Sequence, residues 1–515
     1  MTLTRDRIEA LARWLREQLP EGAGLSADSR RIRPGDAFFA YPGSAVDGRA
    51  HLIEACARGA AALLVEPGLT GLANGSVPMR ELAQLRHWAG PIADAFYRHP
   101  SAQLDVVGVT GTNGKTSCSH WIAQGLQQAG QRAAVVGTLG AGLAGDAAGG
   151  ALTSTGLTTP DALALQALLA RFVQERVETV ALEASSIGLD QGRLDGTLIR
   201  VAVYTQLSRD HLDYHGSMQA YAEAKARLFA WPGLRAAVVN LDDPCHAQML
   251  DRTDPDVLRI GYRLADAGGA VDLAAGRVDR CLVARRIVVG AQGMRISLEE
   301  DGVSAVVETP LIGRFNVSNL LATAGAWRAL GLSFETVVQR LSALRPVPGR
   351  LQPVPSPADR TGPLTVVDYA HTPDALTQVL AALRPLAQAR GGRLWCVFGA
   401  GGDRDPGKRP LMAAAVAAGA DAVVLTSDNP RSESPQAILD ALEQGLSAPP
   451  ALREVDRARA IALTLARADD ADVVLIAGKG HEATQEIAGV LHAFSDVDHA
   501  RAALQARPLR EVSNA

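Results

Sequence analysis

The sequence has few cysteines and no long apolar run, and each shortage excludes a class of protein. Its five cysteines are scattered through 515 residues without a Cys-x-x-Cys pair, which argues against a zinc site and a disulfide framework. No apolar run approaches the roughly 18 residues of a membrane-spanning helix, and charged side chains occupy the N-terminus where a signal peptide needs an apolar core. We therefore expect a cytoplasmic protein that neither spans a membrane nor is exported.

The sequence also lacks a strong excess of charge. A formal net charge of −4 gives no general attraction to nucleic acid or to acidic membrane surfaces. The apolar fraction of 47% is that of a globular protein. We therefore expect small-molecule substrates. We also expect a monomer, although no motif in the sequence bears on the oligomeric state.

The length predicts several domains, because 515 residues exceed what one hydrophobic core usually serves. Proline-containing linkers near residues 100 and 346 divide the chain into segments 1–100, 101–345 and 346–515. The first segment begins with an amphipathic helix around Leu11 and Leu15. Strand-like apolar runs alternate with helical segments throughout, at residues 37–41, 61–65, 179–182, 201–204 and 473–477 among others. This pattern predicts three α/β domains: a small N-terminal one, a central one with a mostly parallel sheet, and a Rossmann-like C-terminal one. Within the central segment, residues 255–310 alternate polar and apolar residues and predict an antiparallel insertion.

A glycine-rich turn over residues 111–117 is the most informative motif. It follows an apolar strand and precedes a helical pattern, so its backbone N–H groups can cradle phosphates while Lys115 adds charge and Thr116 reaches Mg²⁺. The spacing is not that of a strict P-loop, because Val109 stands where that pattern has glycine. The alternative is an ordinary glycine-rich turn between strand and helix.

Other candidate residues are weaker when taken singly. Glu183 directly follows an apolar strand and could hold Mg²⁺, although a lone acid there is usually solvated. His211 and His215 could share a helix face and bind zinc, but the His-Glu-x-x-His signature is absent. Helical spacing alone places Lys225 on a solvated face. A dinucleotide fingerprint at residues 399–404 fails because Arg404 replaces its last glycine.

Polar loops follow four predicted strands of the C-terminal segment. They cover residues 368–371, 399–405, 427–431 and 478–482. Because ligands of open α/β sheets bind beyond the carboxyl ends of the strands, these loops predict a binding site at one rim of the sheet.

Together these motifs resemble the Mur ligase family along essentially the whole chain. The resemblance rests on seven segments in a fixed order: Gly111–Thr116, Ser208–His215, Lys225, Gly313–Asn319, Asp368–Leu376, Gly401–Arg404 and Asp428–Arg431. It implies an ATP-dependent amide-bond ligase that adds meso-diaminopimelate to UDP-N-acetylmuramoyl-L-alanyl-D-glutamate through an acyl phosphate. The rivals are an L-lysine-adding ligase of the same family, a folylpolyglutamate synthetase and a nucleotide binder without catalysis.

The resemblance also implies the catalytic and nucleotide-binding residues. Lys115, Glu183, His211 and Lys225 are the expected catalytic residues, with Lys225 carbamylated. The expected ATP contacts are Gly111, Thr112, Asn113, Gly114, Lys115, Thr116, Ser117, Asn316 and Arg350. Two Mg²⁺ ions are expected on Thr116, Glu183, His211 and the Lys225 carbamate.

The remaining implied residues bind the two other substrates. For the UDP-sugar dipeptide, the residues expected at the uridine nucleotide are Ser29, Ser44, Ala45 and Val46. Those expected at the muramoyl dipeptide are Thr158, Thr159, Ser185, Gln191 and Arg193. Those expected to bind meso-diaminopimelate are Arg404, Asp428, Asn429, Pro430, Arg431, Gly478 and Glu482, where the Arg431 guanidinium can pair with the distal carboxylate that lysine lacks. Ile187 and Gln206 stand where relatives often have histidine and asparagine, which affects local hydrogen bonding.

Overall fold

The computed structural model describes residues 4–43, 46–68, 77–144, 152–265, 277–290, 293–357 and 361–507. The helices in these ranges are α1 (Arg5–Gln18), α2 (Leu52–Ala57), α3 (Leu85–Phe96), α4 (Lys115–Gln127), α5 (Ala162–Gln174), α6 (Ser186–Asp190), α7 (Leu212–His215), α8 (Met218–Ala226), α9 (His246–Arg252), α10 (Arg314–Ala329), α11 (Phe334–Ala343), α12 (Pro373–Arg390), α13 (Lys408–Gly419), α14 (Pro435–Glu443), α15 (Arg457–Arg467) and α16 (Asp496–Ala506). None of them is long and apolar enough to cross a membrane.

The strands form three main sheets and one hairpin. The strands are β1 (Leu25–Ser26), β2 (Ala37–Ala40), β3 (Ala62–Val65), β4 (Met79–Glu81), β5 (Asp105–Thr110), β6 (Ala133–Gly137), β7 (Gly140–Leu143), β8 (Thr179–Glu183), β9 (Val201–Tyr204), β10 (Ala236–Asn240), β11 (Leu258–Leu264), β12 (Arg280–Gly290), β13 (Gly293–Glu300), β14 (Val303–Thr309), β15 (Gln352–Val354), β16 (Leu364–Asp368), β17 (Leu394–Phe398), β18 (Ala422–Leu425), β19 (Leu452–Arg453), β20 (Val473–Ala477), β21 (Thr484–Ile487) and β22 (Val490–Ala493).

The N-terminal sheet is parallel, in the order β1-β2-β3-β4. Helix α1 buries Leu11 and Leu15, spaced four residues apart on one face, in the core beneath this sheet. The predicted helix and the two predicted strands of this segment are confirmed. The turn that contains Val46 directly follows strand β2 of this sheet.

The central sheet has ten strands in the order β14-β13-β12-β11-β10-β9-β5-β8-β6-β7. The strands from β12 to β6 run parallel. Strands β8, β9 and β10 are buried at every position, as expected when helices cover both faces of a parallel sheet. The carboxyl ends of β5, β8 and β9 are therefore adjacent, and the loops that follow them lie at one edge.

The prediction of an antiparallel insertion was partly wrong. Strands β12, β13 and β14 are antiparallel, but β11 pairs in parallel with both β10 and β12. These strands extend the central sheet rather than standing apart from it. Alternation of polar and apolar residues indicates that one face of a strand is exposed to solvent. Strands near the edge of a large sheet can have such a face in either direction, so the pattern does not distinguish parallel from antiparallel pairing.

The C-terminal sheet has the order β15-β16-β20-β17-β18-β19, with β15 antiparallel and the other strands parallel. Strands β16, β20, β17 and β18 are neighbours whose carboxyl ends lead into the four polar loops. The predicted convergence of these loops at one rim is therefore met by the strand order.

The N-terminal and central segments are packed closely against each other. A Cβ placed on Gly90 of α3 would lie 2.0 Å from the Asp195 carbonyl oxygen. Leu163 of α5 is buried in the core of the N-terminal sheet. Such close approach of two backbones requires glycine on one side. The boundaries at residues 100 and 345 stay a prediction.

Candidate active site

The glycine-rich turn between β5 and α4 is held by its backbone conformation and by its lysine. Gly111 has φ +144° and Gly114 has φ +87°, and a Cβ on Gly111 would lie 1.8 Å from Thr205 Oγ1. Lys115 Nζ donates to the carbonyl oxygens of Gly111 and Thr112, each at 2.8 Å. The lysine is thus folded back over the turn, where an anion at the start of α4 would meet both its charge and free backbone N–H groups.

Lys225 points into this turn from α8 instead of into solvent. The side chain is 1% exposed, and its Nζ donates to the Gly111 carbonyl oxygen at 2.8 Å. The amine also lies 4.4 Å from the ring centre of Tyr221. Burial, and next the charge of Lys115, lower the pKa of Lys225 well below its usual value. The spacing argument for a solvated face is wrong, because the amine is buried in the site.

The segment after β9 is bonded to the turn through Thr112. The Thr112 hydroxyl donates to the Ser208 carbonyl oxygen at 3.1 Å and accepts from the Ser208 N–H at 2.9 Å. It also lies 3.1 Å from the Tyr221 hydroxyl. Gln206, one of the two departures noted in the sequence, accepts from the Thr112 N–H through its carbonyl. Because a backbone group makes this contact, it needs no particular side chain at position 206.

His211 and His215 do not share a helix face. His211 precedes α7 with φ +52°, and its Nε2 lies 3.5 Å from a carboxylate oxygen of Asp210. Burial lowers the pKa of His211, and Asp210 opposes that shift only in part, so the ring is neutral near pH 7. His215 Nε2 instead lies 3.0 Å from Ser186 Oγ. This geometry gives no support to a shared zinc site.

Glu183 is fully buried at the end of β8. One of its carboxylate oxygens accepts from the Thr138 N–H at 2.9 Å, and the other accepts from the Thr138 hydroxyl at 3.0 Å. A Cβ on Gly137 would lie 2.2 Å from the first of these oxygens. The described part of the chain contains no cluster of three or more His, Cys, Asp or Glu able to hold a metal ion, so Mg²⁺ ligation here stays a prediction.

The residues expected to bind the muramoyl dipeptide form one hydrogen-bonded patch beside Glu183. Thr158 Oγ1 lies 3.1 Å from the Thr138 hydroxyl. Thr159 Oγ1 donates to the Glu183 carbonyl oxygen at 2.7 Å and lies 2.9 Å from Ser185 Oγ. The patch is completed by Arg193, which donates to the Thr159 carbonyl oxygen at 2.9 Å and to Gln191 Oε1 at 2.7 Å. The structure thus brings all five predicted residues together.

The predicted uridine-nucleotide residues are only partly covered by the described ranges. Ser44 and Ala45 lie outside the described residues. Ser29 is buried, and its hydroxyl donates to Glu54 Oε2 at 2.8 Å. Val46 is 60% exposed. The turn after β2 is therefore accessible at Val46, while the Ser29 hydroxyl is already bonded within the N-terminal segment.

The two remaining ATP residues approach the turn from different sides. Asn316 is buried in α10 and accepts from Asn319 Nδ2 at 3.1 Å. The Asn319 side chain covers Gly114, whose added Cβ would lie 2.4 Å from Asn319 Oδ1. Arg350 donates to Thr116 Oγ1 at 3.1 Å. Asn316 thus acts through Asn319, whereas Arg350 touches the turn directly.

Arg350 also connects the turn to the C-terminal loops. Its guanidinium lies 4.5 Å from the ring centre of Tyr369, and that ring lies 5.5 Å from the ring of His481. Burial, and next the charge of Arg350, lower the pKa of His481 to about 4. A continuous set of contacts therefore runs from the phosphate turn to the loop after β20.

Arg431 is held in a strained backbone conformation in the loop after β18. It has φ +53°, its Nη1 donates to the Gly402 carbonyl oxygen at 2.7 Å, and its Nε lies 3.4 Å from Glu486 Oε2. Arg404, in the loop after β17, is exposed. Non-glycine residues in this backbone region cluster at functional sites. The guanidinium is anchored at two positions, through Nη1 and Nε, which orients its remaining N–H groups.

The other predicted residues of this rim surround a lysine that sequence reasoning missed. Lys479 is fully buried, and its Nζ donates to Asn429 Oδ1 at 2.9 Å and to Glu482 Oε2 at 2.8 Å. The nearest oxygen of Asp428 lies 3.7 Å from the same nitrogen. A Gly-Lys-Gly sequence directly after a buried strand was the available signal.

Two predicted residues of the rim contribute backbone rather than side-chain groups. Gly478 has φ +116° and donates its N–H to the Asp368 carbonyl oxygen at 3.1 Å. The Pro430 carbonyl oxygen would lie 1.9 Å from a Cβ on Gly402. Gly402 therefore lets the two loops approach closely, and Gly478 adopts a backbone conformation that favours glycine.

The fold and the site define a nucleotide-dependent enzyme of three α/β domains, and the comparisons identify its family. Residues 22–97 match the model "Mur ligase family, catalytic domain", residues 109–327 match "Mur ligase middle domain", and residues 349–480 match "Mur ligase, glutamate ligase domain". The chain belongs to the Mur ligase family.

Individual relatives are similar over nearly the full length. The chain is 48% identical to the UDP-N-acetylmuramoyl-L-alanyl-D-glutamate–2,6-diaminopimelate ligase of Acidovorax sp. (strain JS42), covering 98% of each chain. It is 48% identical to the ligase of the same name from Pseudomonas aeruginosa, covering 94% of this chain and 95% of that one. A solved structure with that name is 39% identical, covers 94% of each chain and has a TM-score of 0.63. The family predicted from the motifs is confirmed.

Proposed function

We propose that this chain is an ATP-dependent amide ligase that joins meso-diaminopimelate to the D-glutamyl γ-carboxylate of UDP-N-acetylmuramoyl-L-alanyl-D-glutamate. The observation that carries the proposal is the contact of Arg350 with Thr116. Through Tyr369 and His481, this contact links the phosphate-binding turn to the loop that carries Lys479. The names of relatives at 48% identity support the choice of substrates. The match of residues 22–97 to a Mur ligase domain disfavours a folylpolyglutamate synthetase.

The chemistry proceeds in two balanced steps. The γ-carboxylate attacks the γ-phosphorus of ATP, which forms an acyl phosphate and releases ADP. The neutral amine of diaminopimelate then attacks the acyl carbon, and the tetrahedral intermediate expels phosphate and loses a proton to give the amide. Such transfers need mainly positioning and charge neutralisation, which the Lys115 ammonium and the N–H groups of the turn would supply.

The residues around the turn suit a magnesium ion. Glu183 is a buried carboxylate, Thr116 offers a hydroxyl, and His211 has a ring kept neutral by burial. The neutral amine of Lys225 can add carbon dioxide, and the resulting carbamate would supply the oxygen ligands that Mg²⁺ prefers. When bound, Mg²⁺ would neutralise charge on the transferred phosphoryl group.

Product analysis tests the proposal directly. Purified protein is given Mg²⁺, ATP and UDP-N-acetylmuramoyl-L-alanyl-D-glutamate, with meso-diaminopimelate, L-lysine or no amino acid, and ADP release and product mass are measured. We expect turnover only with diaminopimelate and a product heavier by one residue of it. Turnover with L-lysine would overturn the specificity, and ATP binding without turnover would favour a nucleotide binder that lacks catalysis.

A further inference from the structure

Lysine is scarce in this chain, so the positions that keep it are informative. Of the 51 lysines and arginines only four are lysines, at positions 115, 225, 408 and 479, although lysine is normally among the commonest residues. An ammonium and a guanidinium differ in size, shape and donor geometry, so they are not interchangeable in a closed site. Lys115 and Lys225 share the Gly111 carbonyl oxygen in the phosphate turn. Lys479 is the one buried lysine that the proposed chemistry does not use.

Lys479 forms a closed hydrogen-bonded triangle with Asn429 and Glu482. Its ammonium donates to Asn429 and to Glu482, and Asn429 Nδ2 in turn donates to Glu482 Oε2 at 2.9 Å. The Asn429 amide oxygen also accepts from the Glu486 N–H at 3.1 Å. Because two donors meet that oxygen, the amide has one orientation only. The triangle therefore joins the loop after β18 to the loop after β20.

Asp428, which lies beside the triangle of Lys479, Asn429 and Glu482, provides an independent sign that these residues face a ligand. The residue is buried, and its Oδ1 has no hydrogen-bond partner among the residues that the structure describes. The nearest cation is Lys479 Nζ, at 3.7 Å from this oxygen. A buried carboxylate oxygen without a donor is costly unless a ligand completes it. An ammonium group of a bound amino acid would supply such a donor.

The charge at the rim fits the two ends of a distal amino-acid head. Asp428 and Glu482 bring two negative charges, and Lys479 neutralises one of them. The nearby Arg457 is balanced by Asp496, and Arg431 is balanced by Glu486. One negative charge then remains for an ammonium, while Arg431 offers N–H groups to a carboxylate. Without Lys479, two adjacent carboxylates would favour a ligand that carries only an ammonium at this end. The buried lysine thus sets the charge balance as well as the geometry.

We propose that Lys479 is a positioning residue that pre-organises Asn429, Glu482 and Asp428 to receive the distal ammonium and carboxylate of the diamino acid. The proposal rests on the proposed function, because it names the residue that shapes that function's amino-acid pocket. Lys479 holds the side chains that touch the substrate and does not itself touch the reacting atoms.

The test is the variant Lys479→Met, which keeps an unbranched side chain, one heavy atom shorter, and removes the ammonium group with its charge. We expect the KM for diaminopimelate to rise about tenfold or more, since a tenfold change corresponds to ~1.4 kcal/mol. The KM values for ATP and for the UDP-sugar dipeptide should stay within about twofold. The ratio of kcat/KM for L-lysine to that for diaminopimelate should increase, which a general loss of structure would not produce.

Asp472→Asn is the matched control for loss of stability. Asp472 is buried in the same sheet but at the amino ends of its strands, where it accepts from Trp395 Nε1 at 2.8 Å and from the Arg393 N–H at 2.7 Å. This variant should lower the thermal stability without selective change in the diaminopimelate KM. In a Glu482→Gln background, adding Lys479→Met should raise the diaminopimelate KM by a smaller factor than it does in the wild type, because the partner charge of the lysine is already absent.

Three results would overturn the proposal. An unchanged diaminopimelate KM in Lys479→Met would show that the lysine does not shape the pocket. An equal rise of the KM for all three substrates, together with lower stability, would assign Lys479 a structural role. Strictly additive effects of Lys479→Met and Glu482→Gln would show that the two side chains are not coupled. If the wild-type protein shows no turnover with either diamino acid, the proposed function itself fails, and this proposal fails with it.

Discussion

Lys225 is expected to be an uncharged amine at neutral pH, and its titration tests the physical basis of the site. The side chain is 1% exposed, donates to one carbonyl and faces the charge of Lys115. Burial and that like charge lower the pKa of Lys225 well below its ordinary value. Each unit of depression means ~1.4 kcal/mol against the ammonium form. The folded protein therefore releases the Lys225 proton at a lower pH than the unfolded chain does.

The sign of the stability effect follows from proton binding. Between the folded pKa and the unfolded value near ~10.4 the unfolded state binds more protons, so the group makes stability rise with pH by up to ~1.4 kcal/mol per unit. The penalty is complete below the folded pKa and disappears as the pH passes the unfolded value. Lys225→Met should therefore be more stable than the wild type near neutral pH, and this difference should shrink as the pH rises. The same variant should lose turnover.

The scarcity of lysine makes the measurement practical. Labelling the lysine ε-carbons with ¹³C gives four NMR signals, for the four lysines of the chain, and Lys225→Met identifies the signal of Lys225. In buffer free of carbon dioxide we expect this signal to be that of a neutral amine at pH 7. Added ¹³C-bicarbonate should produce a carbamate signal that is missing in the variant. Titration of the Lys225 signal near pH ~10.4 in the folded protein would refute the reasoning.

Three further predictions concern the carboxylate, the arginine and the domain contact. Glu183→Gln should lower kcat by ~100-fold or more, about 2.7 kcal/mol, because it removes the buried charge beside the turn; retention of full activity would exclude Glu183 from the chemistry, and the ATP KM serves as control. Arg431→Lys should raise the diaminopimelate KM ~10-fold, because an ammonium cannot make a paired contact with the distal carboxylate; an unchanged KM would mean that this contact is not made. Gly90→Val should lower the melting temperature, because even a Cβ would lie 2.0 Å from the Asp195 carbonyl oxygen; an unchanged melting temperature would show that this packing is not retained in solution.

The sequence carries enough local information to predict the strands and the turns but not the depth of individual side chains. Apolar runs predicted β8, β9 and β20 because a strand covered on both faces must be apolar throughout. The same kind of pattern misplaced Lys225, because helical spacing assumes one apolar and one solvated face. Helix α8 is buried at several positions around its circumference, so its lysine faces the phosphate turn. Only the motifs around it, taken together, indicated its role.

Contacts between distant segments explain what local patterns could not supply. Thr116, Arg350 and Tyr369 meet although they are far apart in sequence. A Cβ on Gly349 would lie 2.3 Å from the His481 N–H nitrogen, so the linker before β15 packs directly on the loop that carries Lys479. No periodicity encodes such a contact, because it depends on how two sheets are placed. Gly349 of this linker packs on the loop that carries Lys479, and the adjacent Arg350 touches the phosphate turn. We therefore expect a shift of the C-terminal domain to move Arg350 and the residues around Lys479 together. The geometry for activating the carboxylate and the geometry for receiving the amine are therefore set by one segment.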